Sequence, residues 1–295
     1  MLLTSEFIHN ILQSLYDALY TGMYSWCNKL FTGMFNNLNK NIVDASQTLR
    51  KTPEAWSSSA YNTVKSIAEN AFVPIATCFI ACVFVWELVH LLQESNQMGG
   101  QIMEKLIVML IMCLICVILC SRSFDIVMFF FELGSDVTSK ISGTIDGTFS
   151  ADIDGFLPQP QGDYTLDIVL EIAGDLILLA IANITILVIG VIIYIRVAIW
   201  FIEFLIYASA ASIPNATWMN REWSQVGMNF TRKMLAVAFE GPFTLLLFSI
   251  YGGVVSGIGS GDFKESVIMI IGCGFALAGM MFKVGNISAS IFNAH

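Results

Sequence analysis

Apolar positions along most of this chain recur at helical spacing or run on without interruption. Phe7, Ile8, Ile11, Leu12, Leu15, Leu19, Met23, Trp26 and Leu30 fall three and four apart, with Asn10, Gln13, Ser14 and Asp17 over much of the other face. This predicts an amphipathic N-terminal helix. Its Tyr16, Tyr20, Tyr24 and Trp26 suit a bilayer interface, where a ring buries its body and keeps its polar tip wet, or equally a packed partner subunit. From Asn36 to Asn70 the chain turns polar, and Thr52-Pro53-Glu54 opens a helix expected around Trp56 to Ala68, since proline is tolerated in a first turn. Apolar runs then cover about Ala71 to Leu92, about Lys105 to Cys120, Leu176 to Ile213, about Met234 to Val255 and about Ser266 to Phe282. About 20 such residues cross a bilayer core of roughly 30 Å.

The run from Leu176 to Ile213 sets the topology. Its 38 residues include only Arg196 and Glu203 as charges and no proline. At about 1.5 Å per residue it would reach roughly 57 Å, so it either overshoots the membrane or folds back as two spans. A tight hairpin inside a membrane needs turn chemistry, and around Tyr194 to Trp200 there is no glycine, proline, asparagine or aspartate. One long helix is the simpler reading. The chain is therefore expected to be an all-α, polytopic transmembrane helical bundle of about five spans, one unusually long, with a hairpin giving six.

The intervals are polar. Phe124 to Val137 is apolar but carries Asp125, Glu132 and Asp136, which reads as a surface or interfacial helix. Ser142 to Tyr164, with four glycines and Pro158-Gln159-Pro160, reads as irregular. A polar loop is expected from Pro214 to Thr231, and a glycine-rich turn from Gly257 to Gly261. The expected organisation is an extramembrane segment over 1–70, two spans over 71–121, an acidic loop with its interfacial helix over 122–175, and the long helix with the last spans over 176–295.

Composition agrees with membrane burial, since 56% apolar and 13% charged residues leave too little polar surface for a soluble fold, where about 25% charged is usual. The net charge of −9 is local: Arg122 to Asp175 holds ten acids against Arg122 and Lys140. Cytoplasmic loops collect lysine and arginine, so the loop with Arg221, Arg232 and Lys233 is expected inside and the acidic one outside. The long helix then crosses once, with the amino terminus outside and the carboxyl terminus inside; Arg50, Lys51 and Lys65 before the first span pull the other way. The first basic residue is Lys29, so no secretory signal is expected and insertion relies on the later spans. With no strongly basic patch, any contact with nucleic acid is expected to be weak, transient or indirect.

Charges at membrane depth are the candidate functional residues, because such groups face a bundle interior, a water-filled path or the headgroups. Arg196 and Glu203 lie seven residues apart on one helix face, too far for a local pair, and call for partners elsewhere; snorkelling to the interface is the alternative for Arg196. Glu87 falls near the end of its span. Glu240 lies inside a span just before Gly241-Pro242, where proline removes a backbone hydrogen bond, pointing to a hinge or a buried polar contact. Gly274 and Ala278, in a run of small residues, allow close helix approach, within the chain or between copies. Catalytic, cofactor and metal sites are not expected: phosphate-loop, His-Glu-x-x-His and Gly-x-Ser-x-Gly motifs are missing, His9, His90 and His295 are scattered, and Asp152 and Asp154 lack the rest of a calcium loop. Cys113 and Cys116 form a Cys-x-x-Cys without the context of a zinc or redox site, and Cys78, Cys82, Cys120 and Cys273, also in apolar runs, read as small packing residues.

The order of elements resembles the TrbL-like polytopic membrane subunits of type IV secretion and conjugal transfer systems, in the branch found on Gram-positive mobile elements. The resemblance rests on Pro74-Ile75 opening a span that closes with Trp86-Glu87-Leu88, on Tyr194-Ile195-Arg196-Val197-Ala198, and on Arg232-Lys233 followed by Ala236 and Glu240-Gly241. Where similar proteins favour glutamine before the glycine, this chain has Glu240. The resemblance implies an inner-membrane protein in several copies, forming part of the channel for single-stranded DNA with its attached protein. Other secretion membrane subunits and ATPases would be partners. A secondary transporter or channel for a small solute predicts an inverted repeat that the two halves do not display; a scaffold without its own conduit is the third reading.

Overall fold

A computed structural model of the chain describes residues 2–95, 102–142, 164–220, 222–257 and 263–294. Among them there is no strand. The helices are α1 (Leu2–Leu49), α2 (Pro53–Trp56), α3 (Ser58–Ile67), α4 (Val73–Ser95), α5 (Ile102–Ser121), α6 (Ser123–Ser142), α7 (Leu166–Ala210), α8 (Ser212–Ala216), α9 (Ser224–Ser256) and α10 (Phe263–Ile291). Five helical stretches are long and apolar enough to cross a bilayer: Ser58–Gln93, Met103–Ser121, Leu166–Met219, Ser224–Val255 and Phe263–Ile291. Of the stretch from Ser142 to Tyr164 expected to be irregular, residues 143–163 lie outside the described residues, as do the Asp152 and Asp154 pair, Arg221, His295 and most of the expected glycine-rich turn.

Local chemistry explains the boundaries. Thr52 Oγ1 accepts from the Ala55 amide at 3.2 Å and caps α2, whose first residue is Pro53. Ser57 Oγ accepts from the Ala60 amide at 3.4 Å and caps α3. A π-helical turn, Ala68–Phe72, then joins α3 to α4, where a separate helix and span were expected. Pro74 accounts for it: proline offers Asn70 no N–H and its ring crowds that carbonyl, so the turn widens. The amphipathic helix at the amino terminus is longer than expected for a related reason. Its polar continuation keeps Met34, Phe35, Leu38, Ile42, Ala45 and Leu49 on one buried face, enough to carry α1 on to Leu49.

The spans differ in how they are covered. Only 11% of the apolar window of Met103–Ser121 is buried, against 61% for Ser224–Val255. Exposed Ile107, Val108, Ile111, Leu114 and Ile118 give α5 the surface of a lipid-facing helix, whereas α9 has more than half of its window covered by protein.

The chain forms two compact units. The first takes Met1–Ser46, Ile145–Ile195 and Leu246–Phe282. In it Asn183 Nδ2 of α7 donates to the Leu30 carbonyl of α1 at 2.8 Å, and the Asn41 side chain lies against Gly190, where a Cβ would collide with it. Tyr20 stacks on Tyr164 at 4.0 Å, and Lys264 of α10 reaches Glu171 at 3.2 Å and Asp175 at 3.6 Å.

The second unit takes Gln47–Thr144, Arg196–Leu245 and Lys283–His295. Its apolar centre includes Ala76, Ile80 and Val83 of α4, Cys116 and Cys120 of α5, and Ala216 and Met219. The expected polar loop from Pro214 to Thr231 is corrected here: Asn215, Ala216, Thr217, Met219 and Asn220 are buried, and the residues from Ser224 on belong to α9. Polarity there serves internal bonds. Thr217 Oγ1 donates to the Pro214 carbonyl at 2.7 Å and accepts from the Gly227 amide at 3.0 Å, while Asn220 Oδ1 accepts from the amides of Glu222 and Trp223 at 2.8 and 3.1 Å. Cys120 Sγ donates to the Ser212 carbonyl oxygen at 3.3 Å, so the ends of α5 and α7 are neighbours. The charge-based reading sets these ends on opposite faces of a roughly 30 Å core, whereas the structure puts them side by side.

Candidate functional site: an ion pair beside a proline

Arg196 of α7 and Glu240 of α9 meet in the second unit. Nη2 donates to Oε2 at 2.8 Å, with the side chains 13% and 4% exposed. Arg196 thus points into the bundle, where its charge is met by a carboxylate, and does not snorkel. Gly285 of α10 makes room: a Cβ on it would lie 2.7 Å from Glu240 Oε1 and 3.2 Å from Arg196 Nη2. Three helices therefore converge on one pair of charges. Burial of this kind is stable only when the remaining donors and acceptors are also answered.

The backbone next to the pair is answered in the same way. Pro242 lies inside α9, so the Ala238 carbonyl lacks its usual N–H partner four residues on. That carbonyl faces Gly134 of α6, at the place a Cβ would occupy, and the missing side chain lets the two backbones touch. The two preceding carbonyls gain partners from other helices: Trp200 Nε1 of α7 donates to Val237 at 2.7 Å, and Ser288 Oγ of α10 donates to Ala236 at 2.5 Å. Gly241 packs under Trp200, 3.1 Å separating its would-be Cβ from the ring, and Thr138 lies beside it. In hydrocarbon an unanswered carbonyl costs several kcal/mol, so the turn that proline weakens is the one neighbouring helices complete. Phe131 of α6 stacks on Trp200 at 5.2 Å and meets Phe204 edge-on at 4.8 Å, while Trp56 stacks on Phe201 at 4.8 Å.

The other sequence candidates fall elsewhere. Glu203 is half-buried on the Arg196 side of α7, within electrostatic reach of Glu240, as is Lys233. Glu87 accepts from Asn220 Nδ2 at 3.0 Å, which ties α4 to the segment leading into α9. In the first unit Gly274 packs on Ile189, 2.5 Å from its would-be Cβ, which brings helices of the same chain together, and Ala278 is buried. Gly272 and Gly279 of the same run meet nothing. Cys113 and Cys116 sit in or against the α4–α5 apolar centre, and no group of metal-binding side chains occurs among the described residues. Sequence reasoning missed Gly134, Gly285, Trp200, Ser288 and Asn220. Only Trp200, an indole inside an apolar run whose N–H needs an acceptor, carried a usable signal.

A multi-pass helical membrane protein, its central polar group a buried interhelical ion pair, is the class these features define. The chain belongs to the family described as TrbL/VirB6 plasmid conjugal transfer like protein, whose model matches residues 38–212, 175 of the 295. No curated protein and no solved structure matches it. The matched range includes Glu87, Arg196 and Glu203 and stops short of Glu240, Pro242, Gly274 and Ala278. Membership makes the protein a membrane component of a conjugal transfer system, working with other secretion components, in a family of structural parts and not of known enzymes.

Proposed function

We propose that this chain is an inner-membrane channel or scaffold subunit of a type IV secretion machine, through which single-stranded DNA and its attached protein are passed. The family match across α4 to α7 carries the reading. Five candidate spans and a 45-residue α7, longer than a bilayer core needs, supply the frame for such a passage. Several copies surround the path, partner ATPases supply energy, and DNA contacts are transient because few basic residues are available. Arg196 and Glu240, neutralised by one another, hold the bundle and do not line the path; Glu203, Glu87 and the packed Gly241-Pro242 turn support the same frame. The amino terminus lies outside and the carboxyl terminus in the cytoplasm, favoured by Arg232 and Lys233 beyond α7 and opposed by the neighbouring ends of α5 and α7.

The test is the stoichiometry of the protein purified in mild detergent, together with any central opening. A ring around an opening supports the conduit, and a compact monomer with a midplane pocket overturns it in favour of a solute transporter. Deleting the gene is expected to abolish conjugation and leave solute uptake unchanged. Impermeant thiol labelling of single cysteines placed near Lys51, Arg122 and Arg232 fixes the sidedness.

A further inference from the structure

We propose that a groove between α4 and α5 in the second unit binds the headgroup of an aminophospholipid, a primary ammonium linked to a phosphate. The groove encloses about 700 Å³. Glu87 of α4, Glu104 of α5 and Glu222 before α9 line it with Lys105, His90 and Trp86. Three carboxylates against one lysine make the lining net negative, which disfavours an anionic headgroup and favours one that presents a cation. Lys105, which is already engaged within the chain, adds a cation to the lining that draws the linked phosphate. A primary ammonium donates three hydrogen bonds and a quaternary one donates none, so carboxylates distinguish the two by bonding as well as by charge.

The groove is built for an amphiphile. Glu104 and Lys105 lie in the first turn of α5, and Glu87 lies two turns from the end of α4, so the charges sit near the ends of two candidate spans. One to two turns further along α5 the wall becomes Val108, Met109 and Met112, an apolar surface for acyl chain. Trp86 is 63% exposed beside them, the residue type that settles at headgroup depth. Glu87 is positioned in advance, because Asn220 donates to it at 3.0 Å and is itself fixed by the Glu222 and Trp223 amides.

The full chain, purified in mild detergent and incubated with equal amounts of phosphatidylethanolamine, phosphatidylcholine and phosphatidylglycerol of matched acyl chains, is analysed by native mass spectrometry. Phosphatidylethanolamine is expected to be retained roughly tenfold over phosphatidylcholine, the worth of one hydrogen bond to a charged group. Glu104→Gln with Glu222→Gln, both exposed side chains that leave the fold intact, is expected to remove most of that preference; Asp125→Asn outside the groove keeps it. Equal retention of the two zwitterionic lipids, a preference for phosphatidylglycerol, or a preference untouched by the double substitution would each overturn the proposal. Lipid retention is read without reference to transfer activity, so the channel reading stands or falls separately.

Discussion

Replacing Arg196 with methionine removes one partner of the buried pair and keeps the length of the side chain. Glu240, 4% exposed, is left with its 2.8 Å partner gone. Removing one member of a buried ion pair costs roughly 3–5 kcal/mol, because the remaining charge has been taken out of solvent without compensation. At a few degrees per kcal/mol for a chain of this size, the melting temperature is expected to fall on the order of 10 °C. Removing both charges, Arg196→Met with Glu240→Leu, deletes the desolvation cost with the attraction and is expected to recover most of the loss. Fluorescence-detected size exclusion after graded heating in detergent reads both variants, and transfer frequency should follow the same order. A single variant melting within about 2 °C of the unsubstituted chain would mean that Arg196 reaches the headgroups and the pair is incidental. A double variant no better than the single one would deny that the two charges act as a unit.

Further expectations concern the same region and its surroundings. Gly134→Ala, whose Cβ would meet the Ala238 carbonyl carbon at 3.0 Å and its oxygen closer still, is expected to cost about 1–3 kcal/mol, since neither backbone yields cheaply. Gly279→Ala, which meets nothing, should be neutral or gain up to about 1 kcal/mol in the same melting assay. Trp200→Phe keeps the ring stack with Phe131 but removes the donor to Val237, at a cost of about 1 kcal/mol. Cys27 on α1, outside the five spans, is fully buried and burial pushes its thiol up to about 11. Thiolate, the reactive form, rises only as pH approaches that value, so at pH 8 on the order of one Cys27 in a thousand is ionised and maleimide should modify it only after unfolding.

Much of the fold is legible in the one-dimensional pattern, because lipid imposes a simple rule: a backbone crossing hydrocarbon must satisfy itself, so long apolar runs become helices. Five spans, an uninterrupted α7 and a helical amino terminus follow from run length, periodicity and the lack of turn chemistry near Tyr194 to Trp200. Composition marks the polar stretch from Pro214 as a loop, since it cannot tell polar groups that meet water from groups that bond one another; Thr217 and Asn220 do the latter. Arg196, Glu240 and Pro242 announce themselves as costly residues in an apolar setting, yet their partners lie across the fold. Arg196 and Glu240 are 44 residues apart, and the glycines that admit the pair and the freed carbonyl, Gly285 and Gly134, look like any helical glycine in the sequence. The sequence by itself determines which groups need partners. Only the tertiary structure decides which helices provide them, because register between distant helices is set by the fit of whole surfaces and leaves no local periodicity to read.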